Sequence, residues 1–210
     1  MSLWHANDDA LALDAAEAEW APWVRYTRTP PPATWTDTES ASAYTPQERT
    51  LNSAVHEAAH AVLYMAEGYR IGGITLHAPD DDGHTGQAEV EYLPASGPWL
   101  GHVLAFAAGE RAEVRWLWGT GRWTMARAWA AERLAWRDRS QVAHTLKTCH
   151  DRELTFNGDH QDWADYAWIM DRTDEALDPL WERILTLADH VAEHRHLSGQ
   201  KAARIAGFGV

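Results

Sequence analysis

The stretch TPQERTLNSAVHEAAHAVLYMAEG, residues 45–68, decides how this chain folds. Thr45 suits an N-cap and Pro46 suits the first helical turn, where its missing N–H costs nothing. Glu48 completes a capping-box pattern with Thr45. Leu51, Val55, Ala58, Ala59, Val62 and Tyr64 or Met65 then recur at helical spacing. Gly68 ends the run, because glycine takes the left-handed conformation that closes a helix. The pattern predicts a helix from Thr45 to about Glu67 with one face buried.

That helix carries His56-Glu57-Ala58-Ala59-His60. Two histidines four apart lie one turn above the other, so both imidazoles can reach one Zn²⁺ as neighbouring corners of a tetrahedron. Glu57, beside the first of them, can reach a water on that metal and take its proton. Small and apolar residues flank the motif, where a buried charged triplet is costly without a metal. The competing reading is a pair of hydrogen-bonded histidines on a polar helix face.

Downstream, residues 71–77 read as a strand, the acidic segment Pro79 to Gly83 as a turn, and residues 86–93 as a second strand through Ala88, Val90 and Tyr92. A hairpin follows from that order. From Trp99 to about Trp118 the pattern is helical again, and Gly119 and Gly121 end it. Residues 122–155 predict one or two further helices, with a short helix from about Asp162 and a long one over about 174–195 before a small helical tail. Upstream, residues 1–20 read as a short acidic amphipathic helix. Residues 21–45 read as irregular chain, since Pro22 and Pro30-Pro31-Pro32 exclude a helix there. The fold class is mainly α with a small β-sheet or hairpin (α+β). Residues 1–45 form an acidic, Pro-rich extension packing on a domain of residues 46–210.

The 18 basic and 31 acidic residues give a formal charge of −13. That balance argues against a nucleic-acid surface and against docking on anionic lipid. Cys149 is the single cysteine, so no intrachain disulfide forms, and a reducing, cytoplasmic home fits best. The acidic start, with Asp8, Asp9, Asp14, Glu17 and Glu19, is unlike a secretory signal, and no apolar stretch is long enough for a membrane span. The expectation is a soluble chain. Thirteen tryptophans read mainly as core and helix-face residues, because each buries a large apolar area.

Val55-His56-Glu57-Ala58-Ala59-His60-Ala61-Val62 resembles the zinc helix of the FtsH-type membrane proteases, in their peptidase domain. The likeness continues in order through Ile74-Thr75-Leu76 with Gly86, through Ala108-Gly109-Glu110-Arg111-Ala112-Glu113, and through Gly158-Asp159-His160-Gln161-Asp162. Leu187-Ala188 and Leu197-Ser198-Gly199 resemble that family's closing helices. The resemblance covers about residues 46–208. It implies a zincin-like helical metallopeptidase domain, zinc on His56, His60 and Asp162, Glu57 as catalyst, and an edge strand that holds an extended peptide. The chain departs from the family in showing no ATPase module, in carrying Ala59 where glycine is customary, and in a longer stretch before Asp162 that suggests a helical insertion at about 120–155.

Spacing alone leaves the third ligand open among Asp159, His160, Asp162, Asp165, Glu110 and Glu113. The resemblance selects Asp162, with Glu113 next or serving as a carboxylate that orients a zinc-bound histidine. His84, His102 and His160 are candidates for a second electrophile. His77 and His84 around Asp80-Asp81-Asp82 read as a solvated hairpin tip, and His190, His194 and His196 as a polar helix face. The leading expectation is an ATP-independent metallopeptidase acting on peptide or protein substrates. The alternatives are a non-catalytic binding module on a peptidase-like scaffold, contacting a protein partner through its Trp-rich surface, and a small-molecule amidase. The sequence sets no oligomeric state.

Overall fold

A computed structural model describes residues 4–6, 26–33, 41–78, 86–92 and 99–209. The acidic turn and His84 lie outside these residues, as does most of the expected helix over residues 1–20, of which His5–Ala6 is instead a strand. In chain order the elements are β1 (His5–Ala6), β2 (Tyr26–Thr27), α1 (Pro46–Ala66), β3 (Arg70–Leu76), β4 (Gly86–Tyr92) and α2 (Trp99–Gly119). They continue with α3 (Met125–Leu134), α4 (Trp136–His150), α5 (Tyr166–Leu177), a 3-10 turn (Asp178–Leu180), α6 (Trp181–His194), β5 (His196–Ser198) and α7 (Gly199–Ile205). The molecule is mainly helical with a small antiparallel sheet of strand order β4-β3-β5, beside a separate β1-β2 pair.

α1 begins as its sequence dictates. The Thr45 hydroxyl accepts the Glu48 N–H at 3.2 Å, and the Glu48 carboxylate accepts the Thr45 N–H at 3.0 Å. Gly68, at φ +83°, supplies the left-handed residue that ends the helix, and the Tyr69 N–H closes back on the Tyr64 carbonyl at 2.9 Å. From Ala54 to Met65 every residue except His56 is buried, so α1 is the central element. It packs most extensively on α2, then on α6. Ala58 and Ala59 on α1, with Ala105, Ala108, Gly109 and Ala112 on α2, are all buried, and their small side chains allow the two backbones to approach closely.

Two apolar clusters result. The larger joins α1 and the sheet to α2, α6 and α7 through residues such as Val62, Ile74, Leu117, Ile184 and Leu187. The smaller lies under α2, α4 and α5 around Val142, Leu146, Ile169 and Met170, and includes Trp4 from the N-terminal segment. Trp4 meets Phe156 edge-on at 5.1 Å, and Thr29 donates its N–H and hydroxyl to Glu132 at 2.7 and 2.9 Å, so the described pieces of the extension pack on the domain.

Two expectations need correction. The long helix over about 174–195 is two helices, because Pro179 lacks the N–H that an unbroken helix would use there. The tail begins with β5, which pairs with β3 through Leu197 and Ile74 before α7 starts. Three residues are too few for an alternating pattern to announce them. No helix among the described residues is long and apolar enough to cross a membrane.

Candidate metal centre

α1 delivers His56 and His60 one turn apart, and their Nε2 atoms lie 2.9 Å from each other. Each ring is oriented from behind. His56 Nδ1 donates to Glu113 Oε1 at 2.6 Å, and Asn52 Nδ2 holds the other oxygen of that carboxylate at 2.7 Å. His60 Nδ1 donates to the Ala105 carbonyl at 2.7 Å. With both Nδ1–H groups committed, both Nε2 atoms face forward, as metal-binding imidazoles require.

The third group is Asp138, in the first turn of α4. Its Oδ2 lies 3.2 Å from His56 Nε2 and 3.6 Å from His60 Nε2. One ligand atom from each of these three residues falls within 4.8 Å of the others. Two imidazoles and a carboxylate suit Zn²⁺ and leave a coordination position open.

Gly109 makes this convergence possible. A Cβ there would stand 2.5 Å from His56 Cε1 and Nε2 and 2.6 Å from His60 Nε2. The Ala-Gly-Glu-Arg-Ala-Glu run thus has a physical reading. Gly109 lets α2 pass over the imidazoles, and Glu113, one turn later, steers one of them.

Asp162 takes a different role from the one expected. Its carboxylate accepts Arg152 Nη2 at 3.0 and 3.1 Å and the Ala164 N–H at 3.0 Å, in the irregular segment before α5. It closes a local turn and is not among the groups gathered at the two histidines; Asp138 is. The N-cap of α5 is Asp165. Asp138 escaped the sequence reading because only the packing of α4 brings it to α1. One signal was available: Asp138, Val142 and Leu146 stand at i, i+4 and i+8, which puts a carboxylate at the head of an apolar stripe.

A cavity of about 260 Å³ opens beside the three groups, lined also by Glu57, Tyr64, Val90, His102 and Phe106. Glu57 is buried at its edge, where Gly86 leaves room for it; a Cβ on Gly86 would meet Glu57 Cγ at 2.7 Å. The Ala88 N–H of β4 donates to the Glu57 carboxylate. Of the three histidines considered as electrophiles, His102 lines this cavity, packed against Phe106 at 4.6 Å and Tyr64 at 5.6 Å. His160 pairs with Asp171 at 2.5 Å on an exposed surface.

The titrations follow from burial and pairing. Burial opposes charge on His56, but hydrogen bonds to Asp138 and Glu113 outweigh it and hold its pKa well above the ordinary value. Burial opposes charge on His60 as well, but Asp138, helped by Glu57, outweighs it and raises its pKa. Asp138 is pulled below the usual carboxylate range, because the two imidazoles overcome its burial. Glu57 is raised by burial, more than the histidines lower it. Burial lowers the pKa of His102, favouring its neutral ring.

Compared with protein-family models and with curated proteins, the sequence matches none. The reading of this site therefore stands on its residues.

Proposed function

We propose that the chain is a zinc-dependent hydrolase that cleaves peptide bonds, with His56, His60 and Asp138 as ligands and Glu57 as general base. The observation that carries it is the convergence of two Nε2 atoms and one carboxylate oxygen, with each Nδ1–H already committed behind its ring. A metal bound there would supply Lewis acidity, polarising a carbonyl and acidifying a water. Everything else falls to the chain. Glu57, with its pKa raised by burial, is suited to accept a proton from the attacking water and to return it to the leaving amine. Gly86 and the Ala88 N–H fix where that carboxylate stands.

The substrate class rests on β4. This strand is an edge of the three-stranded sheet, and it borders the cavity through Gly86, Ala88 and Val90. An extended peptide added along it would run past Glu57, with main-chain hydrogen bonds providing affinity. The likeness of the α1 and α2 motifs to FtsH-type peptidases supports the same class.

Zinc titration and hydrolysis of unstructured peptides by wild type, Glu57→Gln, Asp138→Asn and Asp162→Asn test this. Glu57→Gln should keep zinc and lose turnover. Asp138→Asn should lose zinc affinity, while Asp162→Asn keeps both. Unchanged zinc affinity in Asp138→Asn would remove the third ligand, and turnover in Glu57→Gln would remove the base.

A further inference from the structure

A second set of ligating side chains stands on α6, apart from the site above. His190, Glu193 and His194 each offer one ligand atom, and those atoms lie within 4.8 Å of one another. The two imidazoles are four residues apart on the helix, with ring centroids 6.1 Å from each other and planes inclined by 23°. Glu193 and His194 are exposed and His190 is half-buried. The sequence pattern alone reads His190, His194 and His196 as a polar helix face; the fold puts His196 in β5 and brings ligand atoms of His190, Glu193 and His194 within reach of one another.

Two features separate this group from an ordinary solvated face. First, His190 Nδ1 is buried without a hydrogen-bond partner among the described residues. Arg195, the adjoining cation, is turned to the Thr50 hydroxyl at 2.9 Å. Second, the group sits on the last turns of α6, whose C-terminal pole carries unsatisfied carbonyls and favours positive charge.

We propose that His190, Glu193 and His194 form a second binding site for a divalent transition metal. Two imidazoles and one carboxylate select Zn²⁺, Ni²⁺ or Cu²⁺ over Mg²⁺ and Ca²⁺, which prefer all-oxygen shells. The ion would bridge one helical turn and pin the end of α6, the point from which the chain enters β5 and the sheet. Among the described residues, no carboxylate or carbonyl accepts from His190 Nδ1 as Glu113 and Ala105 accept from His56 and His60. Affinity should therefore be weaker than at the first site, by about 10–100-fold or more. The proposal does not rest on the hydrolase reading.

The test is calorimetric titration of the full chain with Zn²⁺ and Ni²⁺, for wild type, His190→Ala, His194→Ala and Glu193→Gln, with Mg²⁺ as control. Wild type should show a weaker class of one equivalent that His190→Ala and His194→Ala each abolish and Glu193→Gln weakens. Once the tighter first site is saturated with Zn²⁺, further Zn²⁺ should raise the Tm of wild type and leave that of His194→Ala unmoved. Circular dichroism without metal should be the same for all four proteins, since the changed side chains are exposed or half-buried. If His194→Ala keeps every equivalent that wild type binds, the proposal is overturned. Failure of the hydrolase reading would remove a different equivalent, one insensitive to His194.

Discussion

At Gly109 a single hydrogen atom decides whether two imidazoles can stand beneath α2. In the middle of an exposed helix, Gly→Ala normally stabilises by about 1 kcal/mol, because it removes backbone freedom from the unfolded chain. Gly109→Ala should do the reverse. Its methyl group would stand 2.5–2.6 Å from atoms of both His56 and His60, and imidazoles held at Nδ1 by Glu113 and Ala105 have little room to yield. The expected outcome is a loss of about 1–3 kcal/mol, the usual range for overpacking, together with loss of bound zinc. Urea unfolding and metal content measure both, and a more stable variant that keeps its zinc would refute the account. The residue scale is also where the sequence was most readable. His56, Glu57 and His60 share one helical turn, so their spacing alone places them together. Asp138 comes from another helix, and nothing local distinguishes it from an ordinary acidic first-turn residue except the apolar stripe that follows it.

Elements are placed by pairs that one-dimensional patterns do not reveal. α1, β3, β4 and α2 were legible because caps, glycines and periodicity are local. The position of α4 is not local, and it is fixed by a buried pair. Arg139, next to Asp138, donates Nη1 to Glu110 Oε2 on α2 at 2.7 Å, and the Tyr166 hydroxyl of α5 donates to the same oxygen at 3.0 Å. Arg139, Glu110 and Tyr166 are all 0% exposed. Burial pushes the Glu110 carboxyl up to about 7, against the opposing pull of Arg139, so the pair is costly to dehydrate and useful for geometry. Arg139→Met should therefore destabilise by about 3–5 kcal/mol, because it strands Glu110 in the core. Adding Glu110→Leu should recover part of that loss, since apolar replacement of a whole buried pair is often nearly neutral. A double variant as unstable as the sum of the two single ones would show that the residues do not act as a pair.

Across the whole molecule, the cluster at the centre ties folding stability to pH in opposite directions with and without metal. Stripped by a chelator, the protein holds His56 and His60 with pKa values above the ordinary imidazole value of about 6.5. Between that value and the raised ones the folded state binds more protons than the unfolded chain, so stability falls as pH rises. The contribution is complete below about 6.5 and is lost as pH climbs through the folded values. Asp138 acts at the other end. Its depressed pKa gives stability that is complete above the ordinary carboxylate range and is lost as pH falls below it. With zinc bound, the imidazoles must be neutral, and protons then compete with metal, so stability rises with pH over the same window. Thermal unfolding from pH 6 to 9, in the His194→Ala background to silence the second site, should give a falling Tm with chelator and a rising Tm with zinc. Parallel curves would mean that metal and protons do not share these nitrogens, and the assignment of His56 and His60 as ligands would fail with them.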